Sequence, residues 1–267
     1  MAACPQPAPK KVYSTPKADQ CVVGPPRPLP PPQEVVDALG TTELFVGVDV
    51  ETHQLAPRNQ TRGSVGKFGL WSADLGETCA ELRIVQLGWC IGRLDAERPE
   101  TKVKLIKPSG FVVDPAATAV HRVTQERAAA EGEDLAEVLE EMLADVLEAT
   151  KGGGRVVAHN LAFDGEIIQR ELERAGLGEK VQAWGEIVAG GLCTMMPQIA
   201  HWVRRMAGLK DENMYFRMGL KDMTKILLQN GLELSRGHHD AGNDAQMHWY
   251  VCRELKRYVL RASAAVQ

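Results

Sequence analysis

The segment Leu44-Phe-Val-Gly-Val-Asp-Val-Glu51 is apolar or glycine on both sides of its alternation until two carboxylates close it. A strand that is apolar on both faces has to be covered on both faces. The chain is therefore expected to sandwich a sheet containing this strand between further layers. Residues two apart on a strand project from the same face, so Asp49 and Glu51 point into one place. Converging carboxylates at the end of a buried strand repel each other unless a cation neutralises them, and hard divalent ions take oxygen ligands. Taken alone, the pair also fits a strand running out into solvent.

The pattern downstream predicts what surrounds that strand. Arg83 to Gly92 and Thr101 to Lys107 read as two more strands, the second alternating and so half-solvated, and the three can form a meander. Apolar residues at 135, 138, 139, 142, 143, 146 and 147 make one helical stripe, with Glu137, Glu140, Glu141, Asp145 and Glu148 as a solvated acidic face. Gly152 to Gly154 ends it, Arg155 to Ala158 is a short strand, and Phe163 to Ala175 is a helix closed by Gly176. Further helices are expected over 181–188, 196–206, 221–229 and 241–260. Three strands followed by alternating helix and strand indicate an α/β fold.

A net charge of -4 excludes binding nucleic acid by bulk electrostatics, so any such contact is local. No apolar run approaches the roughly 18 residues of a membrane helix, and no secretory leader is evident, so an intracellular chain, cytoplasmic or nuclear, is expected. The six cysteines form no C-x-x-C pair; free thiols are expected, with no cysteine-based zinc module or disulfide framework. Ten of the 15 prolines lie between Pro5 and Pro32. Such a segment buries too little to order itself, so residues 1–40 are expected to be a Pro-rich disordered tail, the folded part starting at Gln33 or later. Residues 25–32 can serve as a polyproline ligand for a partner domain.

Two more clusters carry chemistry. His159-Asn160-Leu161-Ala162-Phe163-Asp164 follows the short strand and opens a helix; Asn160 can cap it, and Asp164 in its first turn suits the helix dipole. His239-Asp240-Ala241-Gly242-Asn243-Asp244 leads into the last helix, so His239 and Asp244 can reach one cavity.

In order, D-x-E-T, H-N-x-x-F-D and H-x-A-x-x-D resemble the DEDDh family of 3′-to-5′ exonucleases. Ala119-Val-His121-Arg-Val-Thr124 is similar to the family's V-H-G-I-T, with Arg122 where glycine is usual, and Cys193-Thr194-Met195 stands where the family has D-T-L. The resemblance runs from about Leu44 to Leu260 and implies a ribonuclease H-like fold, a five-stranded mixed sheet flanked by helices, with an exonuclease domain over 41–262. It implies that Asp49, Glu51, Asp164 and Asp244 hold two divalent ions, Mg²⁺ or Mn²⁺, and that His239 is the general base. Thr52 and Leu55 match E-T-x-G-L and would contact the terminal nucleotides, with Gln54 in place of glycine. His238 has no such claim; His121, His201 and His248 read as structural or solvated, while His53 lies close enough to touch substrate.

The implied activity releases nucleoside monophosphates from single-stranded or frayed 3′ ends of DNA or RNA. A catalytically silent nucleic-acid-binding or adaptor module on the same fold is the alternative. About 30 residues separate Glu51 from Ile84, a probable insertion over 56–82 in which Arg58, Arg62 and Lys67 sit beside Phe68 and Trp71. Basic and aromatic residues together can bind a single strand by phosphate contact and stacking; a disordered surface loop is the alternative reading of the insertion. Residues 201–225 are a second candidate substrate surface, with six cations against three anions and Trp202, Tyr215 and Phe216 interleaved.

Overall fold

The computed structural model describes residues 29–56, 79–209, 218–228 and 238–264. The sheet has five strands, β1 (Leu44–Thr52), β2 (Ile84–Arg93), β3 (Glu100–Leu105), β4 (Arg155–Ala158) and β5 (Leu192–Cys193), in the order β3-β2-β1-β4-β5. β1, β2 and β3 form the antiparallel meander, and β4 and β5 continue it in parallel. This is the mixed five-stranded sheet that the resemblance implies.

Helices cover both faces. On one side, α4 (Leu135–Lys151) and α5 (Leu161–Arg174) pack on Val46, Val48 and Val50, together with Trp184 of α6 (Val181–Ala189). On the other, Phe45 faces α1 (Gln33–Leu39), α7 (Pro197–Met206), α8 (Leu220–Leu227) and the long α9 (Ala241–Ala264). Two short helices, α2 (Pro115–His121) and α3 (Gln125–Glu131), are capped by Asp114 and Thr124 and were not apparent in the pattern. β1 thus alternates between two apolar environments, which is why its sequence shows no polar face.

Three expectations are corrected. Val35 and Leu39 are fully buried, so the ordered chain begins before residue 40. Leu29, the first described residue of the expected polyproline ligand, packs on the core, and its carbonyl accepts from Trp202 Nε1 at 3.3 Å. That end of the run is thus held by this chain itself. The acidic face of α4 is not simply solvated: Lys102 of β3 pairs with Glu141 and Asp145, Lys104 pairs with Glu141, and Trp89 Nε1 donates to Asp145 at 2.8 Å. Residues 1–28, the insertion apart from Ala56 and residues 79–82, and residues 210–217 lie outside the described part, and with them Arg58, Arg62, Lys67, Phe68, Trp71, Tyr215 and Phe216.

α9 lies on the sheet with almost no gap. Glycine replaces a side chain beneath it at Gly47 and Gly88, where a Cβ would stand 2.1 Å from the Ala245 carbonyl oxygen and 2.2 Å from Ala241 backbone atoms. Trp249 Nε1 donates to the Gly92 carbonyl at 2.7 Å and Cys90 Sγ to that of Ala245 at 3.2 Å, fixing the helix along β2. Because only backbone atoms would be displaced, Gly88→Ala should lose about 1–3 kcal/mol in urea unfolding. Gly185→Ala on α6, where a Cβ meets open space, should gain about 0.5–1 kcal/mol from helix propensity. Equal effects would show that the close contact is not a structural constraint.

Candidate active site

Cross-strand register puts Asp49 opposite Gly88, on the face that α9 covers, and Glu51 follows two residues on. α9 begins at the same edge and carries Asp244 in its first turn. One carboxylate oxygen from each of Asp49, Glu51 and Asp244 lies within 4.8 Å of the others. Asp164, in the first turn of α5, joins them from below: its Oδ1 accepts from Val50 N, between the two β1 carboxylates, at 3.3 Å. Asp164 and Asp244 are 5% and 4% exposed. The structure therefore brings together all four carboxylates that the sequence singled out.

Two helix starts aim these groups. Gln86 clamps the α9 start, its amide donating to Asp240 Oδ2 at 2.9 Å and its carbonyl accepting from Ala241 N at 3.0 Å. Asn160 sits at the α5 cap with φ 112° and makes no side-chain cap bond, contrary to expectation. Its carbonyl instead accepts from Phe163 N at 2.7 Å and closes the first turn.

The carboxylates strain one another. Burial first, then the negative charge of Asp164 and Asp244, holds the Asp49 carboxyl well above the usual range. Burial and the same two neighbours push Glu51 to about 8, and burial pushes Asp164 to about 7 against the pull of its backbone hydrogen bonds. All the donors are oxygens, the set that hard divalent ions take, and a cation would reverse the repulsion. The residues fit such an ion.

His239 lies at the rim. Its φ is 67°, its side chain is 46% exposed, and Nδ1 stands 3.8 Å from Glu51 Oε1. Its backbone N–H donates to Asp244 Oδ2 at 3.2 Å. Burial and the neighbouring His238 hold its imidazole below the ordinary histidine value, so it is neutral near pH 7. Thr52 is buried and donates to the Gln54 carbonyl at 2.8 Å, while Leu55, three residues beyond the end of β1, is half-exposed. Gln54 is not among the positive-φ residues, so the turn accommodates it where glycine was expected. Phe163 packs against the core.

Two histidines beside the site were passed over. His238 Nδ1 contacts Asp244 Oδ1 at 2.9 Å. His248 is buried one helical turn beyond Asp244; it donates from Nδ1 to the Val48 carbonyl at 3.0 Å and turns Nε2 toward Asp49 Oδ1 at 3.8 Å. Burial pushes its imidazole down to about 3. The i, i+4 spacing from Asp244 was a usable sign for His248; nothing in the sequence distinguished His238. His53, expected close enough to touch substrate, is engaged within the fold. It is buried, accepts from Arg83 N at 3.1 Å and meets Phe111 edge-on at 5.0 Å. His121 bridges the Thr52 carbonyl and Val123 N, and the following Arg122 adopts φ 65°, the conformation that explains glycine in the resembled segment.

No family model and no curated protein sequence matches the chain. Solved structures do. E. coli exonuclease I in complex with a dT13 oligonucleotide aligns at a TM-score of 0.58 and 18% identity, over 84% of this chain and 43% of that one. The zinc-ion-bound form of the E. coli ExoI–ssDNA complex aligns equally, and a product-bound exonuclease I aligns at 0.54 with 17% identity, over 83% of this chain and 46% of that one. The fold is ribonuclease H-like. The chain spans less than half the length of these neighbours. Among its described residues, no helix is long and apolar enough to cross a membrane.

Raised carboxyl values have a defined consequence for stability. A carboxyl that titrates higher folded than unfolded favours the folded state when protonated, and that contribution is lost as pH rises through the folded value. Metal-free protein should therefore lose stability between about pH 4 and the values near 7 and 8 of Asp164 and Glu51. In EDTA at pH 8, Asp49→Asn should raise Tm by roughly 2–4 °C per kcal/mol of repulsion relieved, and Mg²⁺ or Mn²⁺ should stabilise only the wild type appreciably. A flat pH profile in EDTA, or a destabilised Asp49→Asn, would show that the carboxylates do not oppose folding.

Proposed function

We propose that the chain is a divalent-metal-dependent 3′-to-5′ exonuclease that releases nucleoside monophosphates from single-stranded or frayed 3′ ends. The observation that carries this reading is the convergence of Asp49, Glu51 and Asp244, with Asp164 below them, beside a neutral histidine. The single-stranded DNA complexes of exonuclease I, a protein of the same fold, support DNA as the substrate, with RNA as the other arm of the test.

Asp49, Glu51, Asp164 and Asp244 would hold two divalent ions, Mg²⁺ or Mn²⁺, which when bound polarise water and offset charge building up on a phosphodiester. The chain's own residues do the rest. His239, exposed at the rim and held in its turn by Asp244, takes the proton of the attacking water. Gln86 and the glycine-faced sheet fix Asp244, and Val50 N fixes Asp164, so that the carboxylates need not reorganise when substrate arrives. Leu55, apolar and half-exposed beyond the end of β1, would pack against the terminal base, and Thr52 holds the turn that presents it.

The test is digestion of matched 5′-labelled DNA and RNA single strands. A 3′-to-5′ ladder that needs Mg²⁺ or Mn²⁺ and stops reversibly in EDTA is expected. Asp49→Asn, Glu51→Gln, Asp164→Asn and Asp244→Asn should each lower the rate at least about a hundredfold. Binding without cleavage in the wild type would make the chain a silent nucleic-acid-binding module instead.

His239→Ala should lose roughly 10² to 10⁴ in rate while keeping metal and oligonucleotide binding. A base must be deprotonated to act, and this imidazole is held below its ordinary value. The wild-type rate should therefore rise with pH along a limb centred below 6.5, and His239→Ala should lack that limb. Loss of metal binding in this variant, with the limb retained, would make His239 a ligand.

A further inference from the structure

Asp244 belongs to a second convergence of possible ligands. His238, His239 and Asp244 each offer one atom, and these atoms lie within 4.8 Å of one another. His238 Nδ1 stands 2.9 Å from Asp244 Oδ1, and the two imidazole rings are tilted by 36° with centroids 4.0 Å apart. Consecutive residues of an extended chain would point their rings apart. The left-handed φ of 67° at His239 turns both to one side, and its N–H bond to Asp244 Oδ2 holds it there. The side chains of His238 and His239 are 26% and 46% exposed, so an ion can enter from solvent.

We propose that His238, His239 and Asp244 form a zinc site that competes with the carboxylate site for Asp244. Two imidazoles and one carboxylate are the donor set of Zn²⁺, which takes nitrogen ligands that Mg²⁺ leaves aside. Three protein ligands leave one position of a tetrahedron open to solvent. On binding, the His238 Nδ1 lone pair faces the metal, and the proton that Nδ1 donates to Asp244 passes to Nε2 or to solvent. The His238 hydrogen bond to Asp244 is replaced by a shared metal. Zinc held there withdraws Asp244 from the carboxylate set and His239 from its proton-accepting role. The inhibitory consequence rests on the proposed nuclease reading; the zinc binding does not.

Binding is tested apart from activity. In the full chain carrying Asp49→Asn and Glu51→Gln, which disables the carboxylate site, calorimetry should find one Zn²⁺ bound, and adding His238→Ala should weaken it at least tenfold. Co²⁺ added to the same double variant should give the visible absorption of a low-coordinate, nitrogen-ligated ion; this readout needs no histidine variant to fold. Unchanged zinc affinity without His238, or a Co²⁺ spectrum of an all-oxygen six-coordinate ion, would overturn the site. For the consequence, Mg²⁺-supported cleavage is titrated with Zn²⁺ and each protein is normalised to its own zinc-free rate. His238→Ala should need at least tenfold more zinc for half-inhibition. Equal sensitivity would overturn the inhibitory role. A wild type with no Mg²⁺- or Mn²⁺-dependent cleavage would overturn the nuclease reading while the zinc titration still stands.

Discussion

Everything at the candidate site depends on how closely α9 can approach β1 and β2. A helix resting on side chains keeps its axis several ångströms from the sheet; this one rests on Gly47 and Gly88, and its backbone at Ala241 and Ala245 occupies the space where Cβ atoms would be. The approach sets the reach of Asp244, a short side chain that must meet two others projecting from β1. Gln86 locks the start of the helix along the strand, and Trp249, bonded to the Gly92 carbonyl, locks it two turns later. The glycines are therefore as much a part of the site as the acids, although they carry no chemistry.

That packing forces charge together, and the cost is visible in where the carboxyl groups titrate. Burial and mutual repulsion raise Asp49, Glu51 and Asp164 together. A fold selected only for stability would separate them. The backbone carries strain at the same places: among the described residues, the three non-glycine positions with positive φ are Arg122, Asn160 and His239. Asn160 precedes the helix of Asp164, His239 precedes that of Asp244, and Arg122 follows His121, which bonds the Thr52 carbonyl beside Glu51. Left-handed backbone costs of order 1–3 kcal/mol per residue and persists where the surroundings over-determine it. Three such residues around one cluster of acids place the conformational cost where the chemistry is proposed to be.

The elements legible in the sequence were those with a full period of pattern. β1 declared itself by apolar residues on both faces, α4 by its stripe from Leu135, and Asp49 and Glu51 by their strand spacing. β5 is two residues long and has no period to read. α2 and α3 are seven residues each, set by caps more than by an apolar face. The pairing of Glu141 and Asp145 with Lys102 was hidden because an acidic helix face looks the same whether it meets water or an edge strand. His238 and His239 are chemically identical neighbours, and only the left-handed turn between them and the helix shows that both meet Asp244.

The shared position of Asp244 ties the two ligand sets together thermodynamically. One set is all oxygen and suits hard ions; the other adds two imidazoles and suits zinc. Linkage is reciprocal: if an ion in one set lowers affinity at the other by some factor, the second ion lowers affinity at the first by the same factor. Under the proposed readings, the state of this site would be set by which ion is present and at what concentration, more than by any movement of the fold. Asp49 and Glu51 are paired with Gly88 and Gln86 on the β2 side of the strand, so they cannot follow Asp244 away from the sheet. Asp244 can respond only by turning its side chain at the helix start, between His238 on one side and the β1 carboxylates on the other.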